Sequence, residues 1–323
     1  MRILLTGANG YIGMRLLPVL VEAGHEVTCV VRDRNRFQPG EDLLRQVEVI
    51  EFDFLQPENA LQHFNKKVYD VAYYLIHSLG DTSTTLKEYE LRSVGCFILV
   101  SSLCQVRQIV YLGGISNVPK LSSHLLARKV VKDVIVNSGI PYTIFEAGII
   151  VGSGSVSFEI IRDLTEKLPV MVVPRWLNSK CQPIAIRNVI NYLFRCLRDE
   201  NTYFRTFEIG GPDVLSYKQM LLDFAEVRGY KRYIIAMPVV FPGLSAYWLY
   251  LTTSANFTIA KQLVESMKND VICQENSIQD IIPQELISYK DAIRMAFMRI
   301  KQNMVVSSWT DAASSSLTHL DVN

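Results

Sequence analysis

Apolar residues in the first 150 positions of this chain fall into two alternating patterns. Short aliphatic and β-branched runs stand at 2–6, 26–31, 47–51, 71–74, 108–112 and 142–146. They read as strands buried on both faces, because such strands are continuously apolar instead of alternating. Between them, 11–23, 58–64, 86–103 and 125–137 carry helical spacing. Strand–helix alternation predicts a parallel sheet, since right-handed crossovers place the helices outside it. Punctuation agrees. Gly24 follows the first helix as a stop, and Ser138-Gly139-Ile140-Pro141 ends the helix at 125–137. Pro18 lies inside the first helix, where it removes one hydrogen bond and predicts a kink.

Past Gly148 the pattern changes. Helices are expected at 157–167, 186–198 and 216–228, with apolar runs at 170–173 and 206–209, the latter ending in Gly210-Gly211-Pro212-Asp213. The expected organisation is a doubly wound α/β core over 1–150 and a smaller lobe over 151–304. Elements near 183–210 return to complete the core, and 305–323 form a flexible tail. The stretch 233–260 holds no charged residue and is long enough to cross a bilayer. Pro238, Pro242 and Gly243 interrupt it, and Ser245, Thr252, Thr253, Ser254 and Asn256 dilute it. Burial in the second lobe is therefore expected. Membrane-surface contact through Tyr247, Trp248 and Tyr250 is the minor alternative.

Composition sharpens this only a little. A formal charge of +1 argues against nucleic acid as a partner, because phosphate backbones call for a concentrated excess of Lys and Arg. The six cysteines (29, 96, 104, 181, 196 and 273) form no closely spaced pair and sit mostly in apolar runs. They read as reduced, buried thiols of a cytoplasmic protein. The five histidines show no metal-ligand spacing. The chain opens directly on its first strand, without the pattern of a targeting segment.

The strongest chemical signal is Thr6-Gly7-Ala8-Asn9-Gly10-Tyr11-Ile12-Gly13, a GxxGxxG between a strand and a helix. Gly7 permits the tight turn, Gly10 lets backbone N–H groups near Asn9, Tyr11 and Ile12 approach a pyrophosphate, and Gly13 lets helix and strand pack closely. The helix start adds partial positive charge facing the phosphates. A Rossmann fold holding NADP or NAD is expected. After the second strand comes Arg32-Asp33-Arg34-Asn35-Arg36. Arginines there accommodate the 2′-phosphate of NADP, so Arg32 and Arg36 favour NADP, while Asp33 keeps NAD possible. Asp53 and Phe54, after the third strand, are placed at the adenine. Leu75, Ile76 and His77, after the fourth, are placed along the adenine and nicotinamide-side riboses.

These residues resemble the extended or atypical short-chain dehydrogenase/reductase superfamily, from Arg2 to about Arg299. Three blocks beyond the turn carry the resemblance: Gln182-Pro183-Ile184-Ala185-Ile186-Arg187-Asn188-Val189, Thr206-Phe207-Glu208-Ile209-Gly210-Gly211-Pro212 and Tyr111-Leu112-Gly113-Gly114. The last resembles the NmrA-like branch. Ala72-Tyr73-Tyr74-Leu75-Ile76-His77-Ser78 and Gly152-Ser153-Gly154-Ser155-Val156-Ser157-Phe158-Glu159 are similar to a bacterial subgroup named as NAD(P)-binding proteins or nucleoside-diphosphate-sugar epimerases. Active members of the superfamily move a proton through a Tyr, assisted by a Lys four residues on.

No Tyr-x-x-x-Lys occurs in this chain. His124 and Arg128 occupy the matching pair of positions in Ser122-Ser123-His124-Leu125-Leu126-Ala127-Arg128. His124 could act as a base, whereas Arg128 keeps its proton. The assisting Ser would fall near Gly113-Gly114, with Ser116 two residues late, and Glu146 stands where the family often has Arg. The expectation is an NAD(P)-dependent oxidoreductase with a non-standard active site, taking a small apolar substrate under 236–253. The alternative is a catalytically silent, NADP-binding sensor or scaffold for a protein partner. A sugar-nucleotide epimerase fits less well without the Tyr–Lys pair.

Overall fold

A computed structural model describes residues 1–77, 83–117, 122–237, 265 and 267–301. Strands β1 (Arg2–Thr6), β2 (Glu26–Val31), β3 (Glu48–Glu51), β4 (Val71–Tyr74), β5 (Gln108–Gly114) and β6 (Tyr142–Ala147) alternate with helices α1 (Gly13–Glu22), α2 (Glu41–Leu44), α3 (Ala60–Phe64), α4 (Ser83–Leu103) and α5 (Ser123–Val136). Then follow β7 (Ile150–Val151), α6 (Val156–Lys167), β8 (Val170–Pro174), β9 (Lys180–Cys181), β10 (Ile184–Ala185), α7 (Ile186–Arg195), β11 (Arg205–Ile209), β12 (Leu215–Ser216), α8 (Tyr217–Val227) and β13 (Tyr233–Met237). Two later helices run Ile278–Ile281 and Tyr289–Lys301.

Seven strands form one sheet in the order β11-β6-β5-β4-β1-β2-β3, every neighbouring pair parallel. Successive residues of a strand point to opposite faces, and both faces are filled. Ile3, Leu5, Val71, Tyr73, Val110, Leu112 and Phe145 pack on one side with Leu16, Leu17 and Leu20 of α1 and Val189 and Leu193 of α7. Leu4, Ala72, Tyr74, Ile109, Tyr111 and Ile144 pack on the other with Phe97 of α4 and Val131 and Ile135 of α5. This is the doubly wound Rossmann architecture expected from the alternation.

The chain lays β2 and β3 on one side of β1 and β4 onward on the other. A crevice therefore opens where the strand order reverses, between β1 and β4 at their carboxyl ends. Thr6, fully buried, fixes that opening by donating its hydroxyl to the Tyr73 carbonyl at 2.7 Å.

Local details differ from expectation at several helix ends, two of them with a clear physical reason. The first helix starts at Gly13, not 11, because the glycine turn takes up Tyr11 and Ile12 and closes by Gly10 N–H donating to Gly7 O at 2.9 Å. It then runs unbroken through Pro18. The helix expected at 186–198 ends at Arg195, and Arg198 enters the left-handed region at φ 54° while its N–H donates to Gln108 Oε1 at 2.7 Å.

A second apolar cluster joins α6, α8 and the helix Tyr289–Lys301. Phe158, Phe224 and Phe297 meet there, each pair of rings 5.6 Å apart between centroids. The helix Tyr289–Lys301 was not foreseen from sequence. Among the described residues, no helix is long and apolar enough to cross a membrane. Most of 236–253, including Tyr247, Trp248 and Tyr250, lies outside the described residues, as does the tail 305–323.

Candidate functional site

The glycine turn is shaped by what its side chains would collide with. Gly7 sits at φ 66°, and a Cβ there would stand 2.5 Å from the Leu75 carbonyl oxygen of β4's exit. A Cβ on Gly13 would stand 2.3 Å from the Gly7 carbonyl oxygen. No other residue type fits either position without moving backbone. The helix that begins here has no side-chain cap and no acid in its first turn; its Met14, Arg15 and Leu16 N–H groups bond back to the Gly10 and Ile12 carbonyls, so the crevice meets the helix's partial positive charge and the backbone of the turn itself. A cradle of this shape and sign fits a pyrophosphate. Asn9, Tyr11 and Ile12 are all partly exposed along it.

Arg15 was missed in the sequence, although a basic residue in the first turn of this helix is a readable signal. It is buried, lies over the Tyr11 ring at 3.9 Å, and donates to Tyr11 O at 3.0 Å and to Ser153 O at 2.6 Å. A Cβ on Gly152, next to Ser153, would come within 2.6 Å of the Tyr11 hydroxyl. The turn is thus locked to the loop that leads into α6.

At the end of β2, Asp33 is already occupied. Its Oδ1 accepts the Asn35 N–H at 2.9 Å and its Oδ2 pairs with Arg36 Nε at 3.2 Å. Arg32 is exposed, and Arg36 Nη1 is buried without a hydrogen-bond partner. Asp53 accepts the Leu55 N–H at 3.0 Å. The Phe54 ring points into the core, edge-on to Phe52 at 5.0 Å, so only its backbone faces outward chemistry.

Beyond β4, His77 Nδ1 lies 3.8 Å from Glu90 Oε1. Burial, and then the neighbouring Arg128 charge, hold the imidazole well below its ordinary value of 6.5, so it is neutral near pH 7. Arg128 does not lie free in the crevice. It donates from Nη1 to the Leu112 carbonyl at 3.1 Å, while its Nε is buried without a partner. His124 sits in the first turn of α5, and its side chain lies outside what the structure describes.

At the carboxyl ends of β5 and β6 the structure assembles a group that sequence reading left apart. Ser116 Oγ donates to Glu146 Oε1 at 2.9 Å, and Lys132 Nζ donates to the same oxygen at 3.0 Å. Asn117 Nδ2 donates to Glu208 Oε1 at 2.9 Å and to the Ile272 carbonyl at 3.1 Å. Register explains the convergence: Gly113, Glu146 and Glu208 are direct partners across three adjacent strands. Lys132 was legible in principle, one helical turn beyond Arg128 on the same face of α5. The cysteines offer no reactive thiol at the crevice. All six are free, and burial pushes Cys29 and Cys181 up to about 12. Among the described residues no cluster of metal-ligating side chains occurs.

Residues 7–176 match a protein family described as NAD(P)H-binding, a span that runs from the glycine turn to just past β8. No curated protein sequence matches the chain significantly. Solved structures share its fold at low identity. A nucleoside-diphosphate-sugar epimerase of Staphylococcus aureus superposes with a TM-score of 0.72 at 15% identity, covering 91% of this chain and 100% of its own. The Bordetella bronchiseptica enzyme WbmG, solved with NAD, gives a TM-score of 0.72 at 11% identity, with 96% of each chain covered. A UDP-glucose 4-epimerase of Thermotoga maritima, solved with UDP-glucose, gives 0.69 at 12%, covering 94% of this chain and 100% of its own.

Proposed function

This chain belongs to the NAD(P)H-binding family, and from that premise we propose that it is an NADP-dependent oxidoreductase acting on an apolar substrate without the usual Tyr–Lys pair. The observation that carries the reading is the turn, where Gly7 and Gly13 leave no room for a Cβ and α1 begins with no side-chain cap and no acid in its first turn. Backbone at Gly10, Tyr11 and Ile12 holds the pyrophosphate. Asp53 and the backbone of Phe54 meet the adenine, and Leu75, Ile76 and His77 line the riboses toward the nicotinamide. Residues 1–150 form the cofactor core, and 151–304 take the substrate. The six free thiols fit a reducing, cytoplasmic setting.

NADP is favoured over NAD by the state of Asp33. A carboxylate that would bind a ribose diol is taken up by Asn35 and Arg36, and Arg32 stands exposed beside it. Isothermal calorimetry tests this directly. NADPH binds at least about tenfold more tightly than NADH, which is about 1.4 kcal/mol, and Arg32→Ala removes most of the difference. Equal affinities for the two would remove NADP from the reading. Retention of neither would remove the function.

A second reading has its own observation. Arg15 and Tyr11 tie the phosphate turn to Ser153 and Gly152 at the start of the second lobe. A bound dinucleotide could then stabilise a surface for a protein partner without turnover. Hydrogen exchange over 150–165 that slows on adding NADPH, in a protein that reduces no carbonyl, quinone or enone, favours this version.

A further inference from the structure

Among the described side chains at the expected position, the oxidoreductase reading leaves the proton without a carrier, because Arg128 cannot release one and no Tyr stands four residues before a Lys. We propose that Ser116 exchanges that proton with the substrate, and that Glu146 and Lys132 are positioning residues that pass it to and from solvent. The proposal rests on the oxidoreductase reading and names its missing group.

The geometry is a chain of two hydrogen bonds meeting at one atom. Ser116 Oγ and Lys132 Nζ both donate to Glu146 Oε1, at 2.9 and 3.0 Å. Glu146 is 5% exposed, while the Lys132 side chain keeps 24% of its surface in water. One end of the chain therefore reaches solvent. The other end, Ser116, lies two residues past β5 at the carboxyl edge of the sheet, the edge where ligands of this fold sit. β5 is the direct neighbour of β4, whose exit carries His77. Ser116 is also held in place: Asn117, the next residue, is tied to Glu208 and to Ile272.

The step balances. In the reducing direction a bound reduced nicotinamide would supply the hydride to the carbonyl carbon, and Ser116 gives its Oγ proton to the carbonyl oxygen as the C=O bond becomes single. Ser116 recovers a proton from Lys132 by way of Glu146 Oε1, and Lys132 takes one from water. Oxidation of an alcohol runs the same path backward, with one proton delivered to solvent.

The test uses the full chain with NADPH and a panel of quinones, enones and aldehydes, alongside Ser116→Ala, Ser116→Thr, Glu146→Gln and Lys132→Arg. Ser116→Ala is expected to lower kcat by about 100-fold or more, the usual scale for losing a proton donor, with the Kd for NADPH within about twofold by calorimetry. Ser116→Thr, which keeps the hydroxyl, holds kcat within about tenfold of the wild type, whereas Lys132→Arg, which keeps the charge but cannot release a proton, lowers it by about tenfold or more. Glu146→Gln shifts the pH profile of kcat. A readout independent of turnover is the Lys132 Nζ resonance in ¹⁵N-lysine spectra, assigned by its loss in Lys132→Arg, which moves in Ser116→Ala. Wild-type turnover left unchanged by Ser116→Ala, or a pH profile unmoved by Glu146→Gln, overturns the relay alone. A wild type that binds NADPH but reduces nothing in the panel overturns the oxidoreductase reading, and the relay with it.

Discussion

The turn after β1 and the polar group after β5 stand two strands apart along one edge of one sheet, yet they are made in opposite ways. The turn is made of backbone and of side chains that are absent: Gly7 and Gly13 work because nothing occupies the space beside Leu75 O and Gly7 O. The β5 group is made of side chains from three elements, Ser116 beyond β5, Lys132 of α5 and Glu146 of β6. A site of the first kind tolerates no added atom. A site of the second kind tolerates changes that keep charge and hydrogen bonding. That difference sorts what substitutions do.

The largest effect belongs to the turn. Gly7→Val forces a β-branched residue into the left-handed region and drives it against the Leu75 carbonyl. Left-handed strain contributes about 1–2 kcal/mol and overpacking about 1–3 kcal/mol, so chemical denaturation is expected to show a loss of about 3–4 kcal/mol. NADPH affinity falls by about 100-fold or more, equal to about 2.7 kcal/mol. If Gly7→Val binds NADPH normally, the turn is not the phosphate site.

The same contrast explains what was legible beforehand. The seven-stranded sheet and the turn follow from local signals: apolar runs, helical spacing, and glycines at fixed offsets between a strand and a helix. Strands 2–6, 26–31 and 71–74 match β1, β2 and β4 residue for residue. Asp33 could be named from its position, but its occupation by Arg36 and Asn35 is a matter of turn geometry that spacing does not carry. Ser116, Lys132 and Glu146 are separated by 14 residues or more, and they meet only because β5 and β6 pair in one register. Glu146 drew notice as a departure from the family pattern. What it holds could not be read without the fold. The helix Tyr289–Lys301 was missed for a related reason, since it is defined by packing against Phe158 and Phe224 through Phe297.

The next effect tests the β5 group. Lys132→Met leaves the buried Glu146 carboxylate with Ser116 but no counter-charge. Breaking a fully buried pair costs about 3–5 kcal/mol, and the partial exposure of Lys132 brings the expected loss down to about 2 kcal/mol. Pairing it with Glu146→Leu is expected to recover most of that stability, because the stranded charge is then gone. A double variant no more stable than Lys132→Met would show that the ion pair is not what holds this corner together.

A smaller effect is read by acidifying the protein. The folded state keeps His77 neutral well below its ordinary value of 6.5, chiefly by burial and then by Arg128. Below that value the unfolded chain binds a proton that the folded one refuses, so stability falls as pH falls from 6.5 toward the folded value. At pH 5.5 the loss relative to neutral pH is at most about 1.3 kcal/mol, and His77→Gln removes it. Urea midpoints measured in parallel at pH 7 and pH 5.5 check this. An identical drop in both proteins would mean that His77 is charged in the folded state.

The smallest effect separates a helix start that serves the fold from one that serves a ligand. Ser122 caps α5 by accepting the Leu125 N–H at 3.3 Å, and Ser155 and Ser216 cap α6 and α8 in the same way. At α1, Ile12 offers no side-chain oxygen, and the Met14, Arg15 and Leu16 N–H groups bond back to the Gly10 and Ile12 carbonyls of the glycine turn. Ser122→Ala therefore loses a cap, about 1 kcal/mol of stability, and frays the turn that leads into Arg128 and Lys132. The start of α1 is untouched, so NADPH affinity stays within about twofold, less than about 0.4 kcal/mol. Thermal melts with and without NADPH separate the two quantities, since the stabilisation added by ligand depends only on its concentration and Kd. If Ser122→Ala also shrinks the NADPH-induced rise in Tm, then α5 takes part in holding the cofactor, and the two regions act as one site.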